Sequence, residues 1–314
     1  MLLSIPSTIG SALAAQVPAS PTVIKATSKA ESTFGEGLHF SDEDAADAQR
    51  FWTPDKIAAA IPLDAGPSLD AEKSLLTAQM AASSPEGSYE PVYWIGRIYF
   101  DAGGKQYSCS GSSIQSDSKS IVATAAHCLY SAGEWSTRVV FIPAWDGANK
   151  PLLTWSARVY QVSRAWRNNE DQGHDAAFIK INPQPQWDNK YSYLADKAGA
   201  SKVDFSLAKA GLHYQAFGYK NLSGFTAAPL FTCQGEARNF WGIQKYREQE
   251  IAGCSVPGGS SGGPVYHTSA KGPGGTQVGV ITEQRKSRDG GPLLIFVPWG
   301  DLEYSLYRTV DAYN

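Results

Sequence analysis

The chain has 314 residues, enough for about two domains, and its 42% hydrophobic and 11% aromatic content can fill real cores. Thirty glycines, eighteen prolines and a charged fraction of 18% point to short strands joined by turns more than to long helices, an all-β architecture. The net charge of −3 divides into 12 acidic and 5 basic residues over 1–90 and 18 acidic and 22 basic over 91–314; this dilute second-part excess of +4, with no Lys/Arg run or aromatic-basic platform, excludes a nucleic-acid partner.

Met1 to Ala15 is apolar and ends in Ala12-Leu13-Ala14-Ala15, which reads as an export signal with a small-residue cleavage site. It is atypical in having no Lys or Arg before the apolar part and in carrying Pro6 and Gly10. No other apolar run approaches the roughly 18 residues of a membrane span. Residues 16–90 read as an acidic prosegment, opening with a Ser, Thr, Ala and Pro-rich lead to about residue 40. Its charge favours association with the basic remainder, and an acidic solvated tail is the alternative. Ser41 with Asp44 three residues on predicts a capped helix through Ala48. Thr53 followed by Pro54 starts a second, with Ile57 and Ile61 four apart. A third weakly helical stretch covers Asp70 to Ala82, and Ser83 to Ser88 reads as an exposed linker.

From there the texture is β. Strands are predicted over Val92–Phe100, Tyr107–Ile114, Ser120–Thr124, Arg138–Ile142, Ala157–Val162 and Ala176–Ile181. A second series runs through Leu212–Gly218, Leu230–Cys233, Gly263–His267, Thr276–Thr282 and Leu293–Pro298, and Gly300 to Val310 is helical. All four cysteines, Cys109, Cys128, Cys233 and Cys254, fall in this part, 19 and 21 residues apart in local pairs. Two local bridges are the simplest of three pairings, and they imply an oxidising compartment, hence a secreted protein. A zinc site is the rival, but no Cys-x-x-Cys pair occurs, so no metal is expected.

Three segments carry chemistry. Serine is a poor nucleophile until a base takes its proton, histidine suits that task, and a buried carboxylate must fix its tautomer. Ser120 to Thr124 delivers Ala125-Ala126-His127 to a strand end, beside Cys128. Asp175 opens the apolar strand Ala176–Ile181 and outranks Asp171, which lies in the polar run Asn168 to Gly173. In Pro257-Gly258-Gly259-Ser260-Ser261-Gly262-Gly263-Pro264, Ser261 is the nucleophile, and the amides of Gly259 and Ser261 are the expected oxyanion donors. Gly262 and Gly263 are expected to leave room for substrate. His174 reads as a surface neighbour. Both serines also fit the Gly-x-Ser-x-Gly elbow of α/β-hydrolases, but that fold orders serine, acid, histidine, whereas here the order is His127, Asp175, Ser261.

Cys109-Ser110-Gly111-Ser112-Ser113-Ile114, Thr124-Ala125-Ala126-His127-Cys128, the strand after Asp175 and Gly259-Ser260-Ser261-Gly262-Gly263-Pro264 resemble the chymotrypsin/trypsin superfamily of serine endopeptidases. The resemblance spans about residues 92 to 314 and is nearest to secreted microbial trypsin-like and glutamyl endopeptidase-like proteins. Phe51 to Ile57 is similar to a segment of their propeptides, and Phe141 to Gly147 to one in their first barrel. It implies two six-stranded antiparallel barrels, residues 91–195 with His127 and Asp175 and residues 196–314 with Ser261 and the terminal helix. Animal trypsin-like enzymes carry aspartate before the nucleophile, which pairs with a new amino terminus on activation. Here Ser260 stands there, so the loop must be held by local hydrogen bonds. Alignment on Ser261 places Ser255 near the floor of the primary pocket and Thr282 and Glu283 on its wall.

The expectation is a secreted serine endopeptidase made as a precursor, needing no cofactor, whose partners are a protein or peptide substrate and its own prosegment. A catalytically silent binding or adhesion protein on the same fold and an esterase using the same triad are the alternatives. Asn221-Leu222-Ser223 is a glycosylation acceptor if the host is eukaryotic. The sequence sets neither an oligomeric state nor the residue preferred at the cleaved bond.

Overall fold

A computed structural model describes residues 28–63, 87–89, 91–147, 150–186, 190–206, 208–219, 230–240, 247–267 and 275–313. The export signal, the helical stretch over residues 70–82 and Asn221 lie outside the described residues. The amino-terminal part forms β1 (Ser28–Glu31), β2 (Gly35–His39), α1 (Asp42–Phe51), α2 (Pro54–Ala59), β3 (Ile61–Pro62) and β4 (Gly87–Tyr89). Helix α1 starts where Ser41 accepts from the Asp44 amide while Asp44 accepts from the Ser41 amide, and Thr53 caps α2 ahead of Pro54. Gly87 and Ser88 are therefore not linker: β4 pairs antiparallel with Leu230–Thr232.

The first barrel comprises β5 (Ile95–Ala102), β6 (Lys105–Ile114) and β7 (Ile121–Thr124), the small hairpin β8 (Tyr130–Ser131) and β9 (Glu134–Trp135), then β10 (Thr137–Pro143), β11 (Trp155–Ser163), α3 (Arg164–Asn169) and β12 (Ala177–Ile181). Six of these strands close in the order β5-β6-β7-β12-β11-β10, with β10 returning to β5. After the hairpin β13 (Gln184–Pro185) and β14 (Tyr191–Ser192) and helix α4 (Leu194–Ala198), the second barrel comprises β15 (His213–Tyr219), β16 (Leu230–Asn239), β17 (Gln249–Ala252), β18 (Pro264–His267), β19 (Thr276–Lys286) and β20 (Pro292–Pro298). It closes in the order β15-β18-β19-β20-β17-β16, with β16 returning to β15. Two closed six-stranded antiparallel barrels are thus present, as the resemblance implied. Strand β17 has no counterpart in the sequence reading: Gln249-Glu250-Ile251-Ala252 is too short and too polar to register.

Alternation explains why β5 is buried along nearly its whole length. Ile98 and Phe100 face the interior of the first barrel, while Ile95 and Tyr99 face a second cluster with Trp52, Ile57, Phe217 and Tyr219. The outer layer is thus supplied partly by the amino-terminal segment. That segment also extends the sheet, since β2 pairs with β11 from Val159 to Ser163. The charge asymmetry is realised in contacts: Glu36 pairs with Arg164 at 2.8 Å, and Asp47 with Arg138 at 3.0 Å. Helix α5 (Asp301–Asp311) buries Leu306, Tyr307 and Val310 against Ile121 and Phe178 of one barrel and Val280 and Val297 of the other, so it joins the two. Cys109 is bonded to Cys128, and Cys233 to Cys254. Among the described residues no helix is long and apolar enough to cross a membrane.

Candidate active site

Adjacent strands bring the histidine and the carboxylate together. Strand β7 pairs with β12 so that Thr124 lies opposite Ala177. The chain leaves β7 through a 3-10 turn, Ala126–Cys128, that carries His127, and enters β12 from another, Gln172–His174, that ends at Asp175. The bridge from Cys128 ties the first turn to β6. Ala125 and Ala126, just before the histidine, are fully buried in the core that contains Cys109, Val122 and Trp155.

Asp175 has no exposed surface, and a carboxylate taken from water must find donors. It has three. Its Oδ1 accepts from the His127 backbone amide at 2.8 Å, its Oδ2 lies 2.7 Å from His127 Nδ1, and Thr282 Oγ1 donates to the same Oδ2. With Nδ1 carrying a proton toward the carboxylate, Nε2 of the ring is left as the acceptor. Asp171 instead caps the short turn, accepting from the Gly173 amide at 3.1 Å, and is exposed. Ser261 is buried, and its Oγ donates to the Thr282 carbonyl at 3.2 Å. Thr282 therefore touches both the carboxylate and the serine. Its side chain is buried and directed to Asp175.

His174 is not a surface neighbour. Its Nδ1 lies 2.7 Å from Oε1 of Glu303, a buried residue on α5, and Glu303 Oε2 accepts from Arg247 and from the Gly300 amide, each at 2.8 Å. Burial raises the Glu303 carboxyl, but the His174 hydrogen bond, the Arg247 and His174 charges and the Gly300 amide outweigh it and leave the group below its ordinary value. The terminal helix thereby grips the residue next to Asp175.

The serine loop is tight. Gly259 has φ of +94° and Gly262 +79°, values that glycine adopts without strain. Ser260 donates its amide to Pro257 O at 3.2 Å, and the Gly263 amide donates to Ser260 O at 2.9 Å. A Cβ at Gly262 would lie 2.1 Å from Thr124 Oγ1, and one at Gly263 would lie 2.0 Å from Phe217 O. Gly262 therefore lets the nucleophile loop approach the first barrel, and Gly263 lets it pack against β15 of its own barrel, so the space that both glycines leave is filled by protein.

Beside the loop is a cavity of about 430 Å³ lined by Val256, Gly258, Ser260, Ile281, Glu283 and Gln284. Glu283 pairs with Arg285 at 2.6 Å. Gln284 spans the cavity's Ser255 side, its Oε1 accepting from the Val256 amide at 2.6 Å and its Nε2 donating to Ser255 Oγ at 3.0 Å. Gln284 was not singled out from sequence, and no spacing signal marks it. Cys109, His127 and Cys128 also place three potential metal-ligand atoms within 4.8 Å, but both sulfurs are consumed by the disulfide.

A family model described as the lysyl endopeptidase C-terminal domain matches residues 89–281. Among curated proteins no sequence match is found. Among solved structures, the protease Anisep from Arthrobacter nicotinovorans is similar at 34% identity and a TM-score of 0.63, over 73% of this chain and all of its own. The thermostable serine protease AL20 from an extremophilic microorganism is similar at 27% identity and a TM-score of 0.60, over 71% of this chain and 99% of its own. A Glu endopeptidase shares the fold at 14% identity and a TM-score of 0.57, over 74% of this chain and 99% of its own. Matched over most of its length by that family model and by a protease more than three-tenths identical, the chain belongs to the lysyl endopeptidase family of chymotrypsin-like serine endopeptidases and is a hydrolase.

Proposed function

We propose that this chain is a secreted endopeptidase in which Ser261 attacks a peptide carbonyl, His127 takes and then returns the proton, and Asp175 stabilises the imidazolium. The amides of Gly259 and Ser261 stabilise the oxyanion of the tetrahedral intermediate. The observation that carries the reading is the 2.7 Å contact between His127 Nδ1 and a carboxylate buried without exposure, linked through Thr282 to the Ser261 hydroxyl. Secretion rests on the two disulfides and the apolar amino-terminal run.

The protein is made as a precursor in this reading. Because residues 28–63 share a core and a sheet with the first barrel, processing leaves them seated there, whichever bond outside them is cut. Equal turnover of a small ester by the full-length and processed proteins counts against activation by processing.

The pocket beside Ser261 takes uncharged side chains, since Glu283, the carboxylate on its wall among the described residues, is matched by Arg285. Strong selection for a charged residue at the cleaved bond in a peptide library overturns this preference. The activity itself is tested with a fluorophosphonate probe. Labelling at Ser261 that Ser261→Ala abolishes supports the hydrolase, and no labelling of folded, processed protein supports a silent binding module. Ester turnover without peptide turnover assigns an esterase.

A further inference from the structure

We infer that Ser110 is a positioning residue that presets the oxyanion loop from the opposite barrel, in place of the charge pair that holds this loop in animal trypsin-like enzymes. The inference rests on the proposed reading of Ser261 as nucleophile. Its starting point is a deficit: Ser260, which stands where those enzymes carry aspartate, is 1% exposed, and its hydroxyl has no hydrogen-bond partner among the described residues. That side chain faces Gly218, where an added Cβ would lie 2.5 Å from Ser260 Cβ, so the site is filled by close packing and not by an ion pair. Something else must fix the peptides around Ser261.

Ser110, on β6, does so with each of its polar groups. Its hydroxyl donates to the Gly259 carbonyl at 2.8 Å and accepts from the Tyr219 amide at 2.8 Å. Its backbone amide donates to the Ser261 carbonyl at 2.8 Å. Its own carbonyl accepts from Thr124 Oγ1 at 2.9 Å, three residues before His127. The peptide between Gly259 and Ser260 joins the two expected oxyanion donors. Its carbonyl is turned into Ser110 and the Ser260 carbonyl to the Gly263 amide, and across the planar trans peptide the Ser261 N–H points opposite to the Ser260 carbonyl. Ser110 is fully buried, so water does not substitute for its hydroxyl. The Ser110 hydroxyl thus ties β15 of the second barrel to the nucleophile loop, and the backbone of the same residue adds the Ser261 carbonyl and the strand that leads to the histidine.

The test compares the full chain with Ser110→Gly, Ser110→Ala and Ser110→Thr, using a small peptide ester and a peptidyl boronic acid, whose tetrahedral adduct draws on the oxyanion donors. Deleting a donor itself costs roughly 10²–10³ in kcat, and loosening the loop that aims both donors should cost about 10 to 100. The expected result is that kcat and boronate affinity fall together in Ser110→Gly and Ser110→Ala, KM for the ester changes little, and Ser110→Thr, which keeps the hydroxyl, recovers most of both. Unchanged kcat and boronate affinity in either hydroxyl-free variant overturns the inference, as does a loss carried by KM alone. So does a loss of folded protein in both hydroxyl-free variants, which makes the residue structural. A wild-type chain that reacts with neither ester nor fluorophosphonate removes the hydrolase reading itself. An active wild type with equally active variants removes only the role of Ser110.

Discussion

The amino-terminal segment offers the sharpest test of how the barrels are held, through Trp52. Trp52 is 2% exposed and lies in a cluster with Ile95, Tyr99, Val140 and Trp145 of the first barrel. Its ring sits 5.5 Å from that of Tyr99, and its Nε1 donates to the Arg138 carbonyl at 2.7 Å. Arg138 occupies the irregular stretch of β10 where the register with β5 shifts, with φ of +49°, so no ladder pairing with β5 falls on it. Truncating a buried Trp to Ala costs about 3–5 kcal/mol, and a lost hydrogen bond of this kind about 1 kcal/mol within or beyond that range. Against a typical total stability of roughly 5–15 kcal/mol, Trp52→Ala should remove a large fraction of it.

Thermal and urea unfolding of the full chain, followed by circular dichroism and by residual esterase activity, measures this. With about 2–4 °C per kcal/mol for a chain of this size, a drop in Tm on the order of 10 °C is expected. Two companions separate the contributions. Trp52→Phe keeps most of the volume but removes the hydrogen bond to the Arg138 carbonyl, for about 1 kcal/mol. Thr53→Ala removes only the exposed cap on the Lys56 amide, for about 1 kcal/mol. If Trp52→Ala loses no more than Thr53→Ala, the segment is an acidic tail resting on the barrel and the shared-core reasoning fails.

Thr282→Val deletes a hydroxyl that donates to a buried carboxylate, and bonds to charged groups carry about 1.5–3 kcal/mol; kcat should fall roughly tenfold or more with KM little changed, and Thr282→Ser should restore it. The Glu303 carboxyl sits below its ordinary value of 4.5, so it adds stability that is fully present above that value and is lost as pH falls through its lower folded value. Glu303→Gln should therefore flatten the acid side of the stability profile, which unfolding midpoints measured from neutral pH down to below 4.5 will reveal. Replacing Cys109 and Cys128 with alanine opens a loop of 19 residues and should cost about 3 kcal/mol in denaturant titrations, with the His127 turn the first element to lose protection from hydrogen exchange.

The division between what the sequence makes legible and what it hides follows the range of the interactions. Ser41, Asp44, Thr53 and Pro54 act on amides three or fewer residues away, and both caps could be read directly. The strands of the barrels carry their own apolar alternation, and β17 escaped because four residues that open with two polar ones have no period to display. His127 and Asp175 were legible as candidates because each adjoins an apolar strand, and β7 and β12 turned out to be neighbours. Nothing local marks Thr282 as a partner of Asp175, 107 positions away, or Glu303 as a partner of His174, 129 positions away.

Those hidden partners share a physical pattern. The residues proposed to react lie on turns at strand ends, where a backbone has few ladder bonds of its own and small torsional changes move a side chain far. Each such turn is therefore anchored by a group from a distant element: Thr282 on the aspartate, Glu303 of the terminal helix on the neighbouring His174, and Ser110 on the serine loop. A buried hydroxyl or carboxylate with donors and acceptors aimed at it has one low-energy arrangement, because every alternative leaves a polar group unpaired away from water. Residue type alone reads these anchors as ordinary core serines, threonines and a surface glutamate. Their role exists only after two barrels and a helix have closed around them, which is why the expected surface at His174 was a reading that had to change.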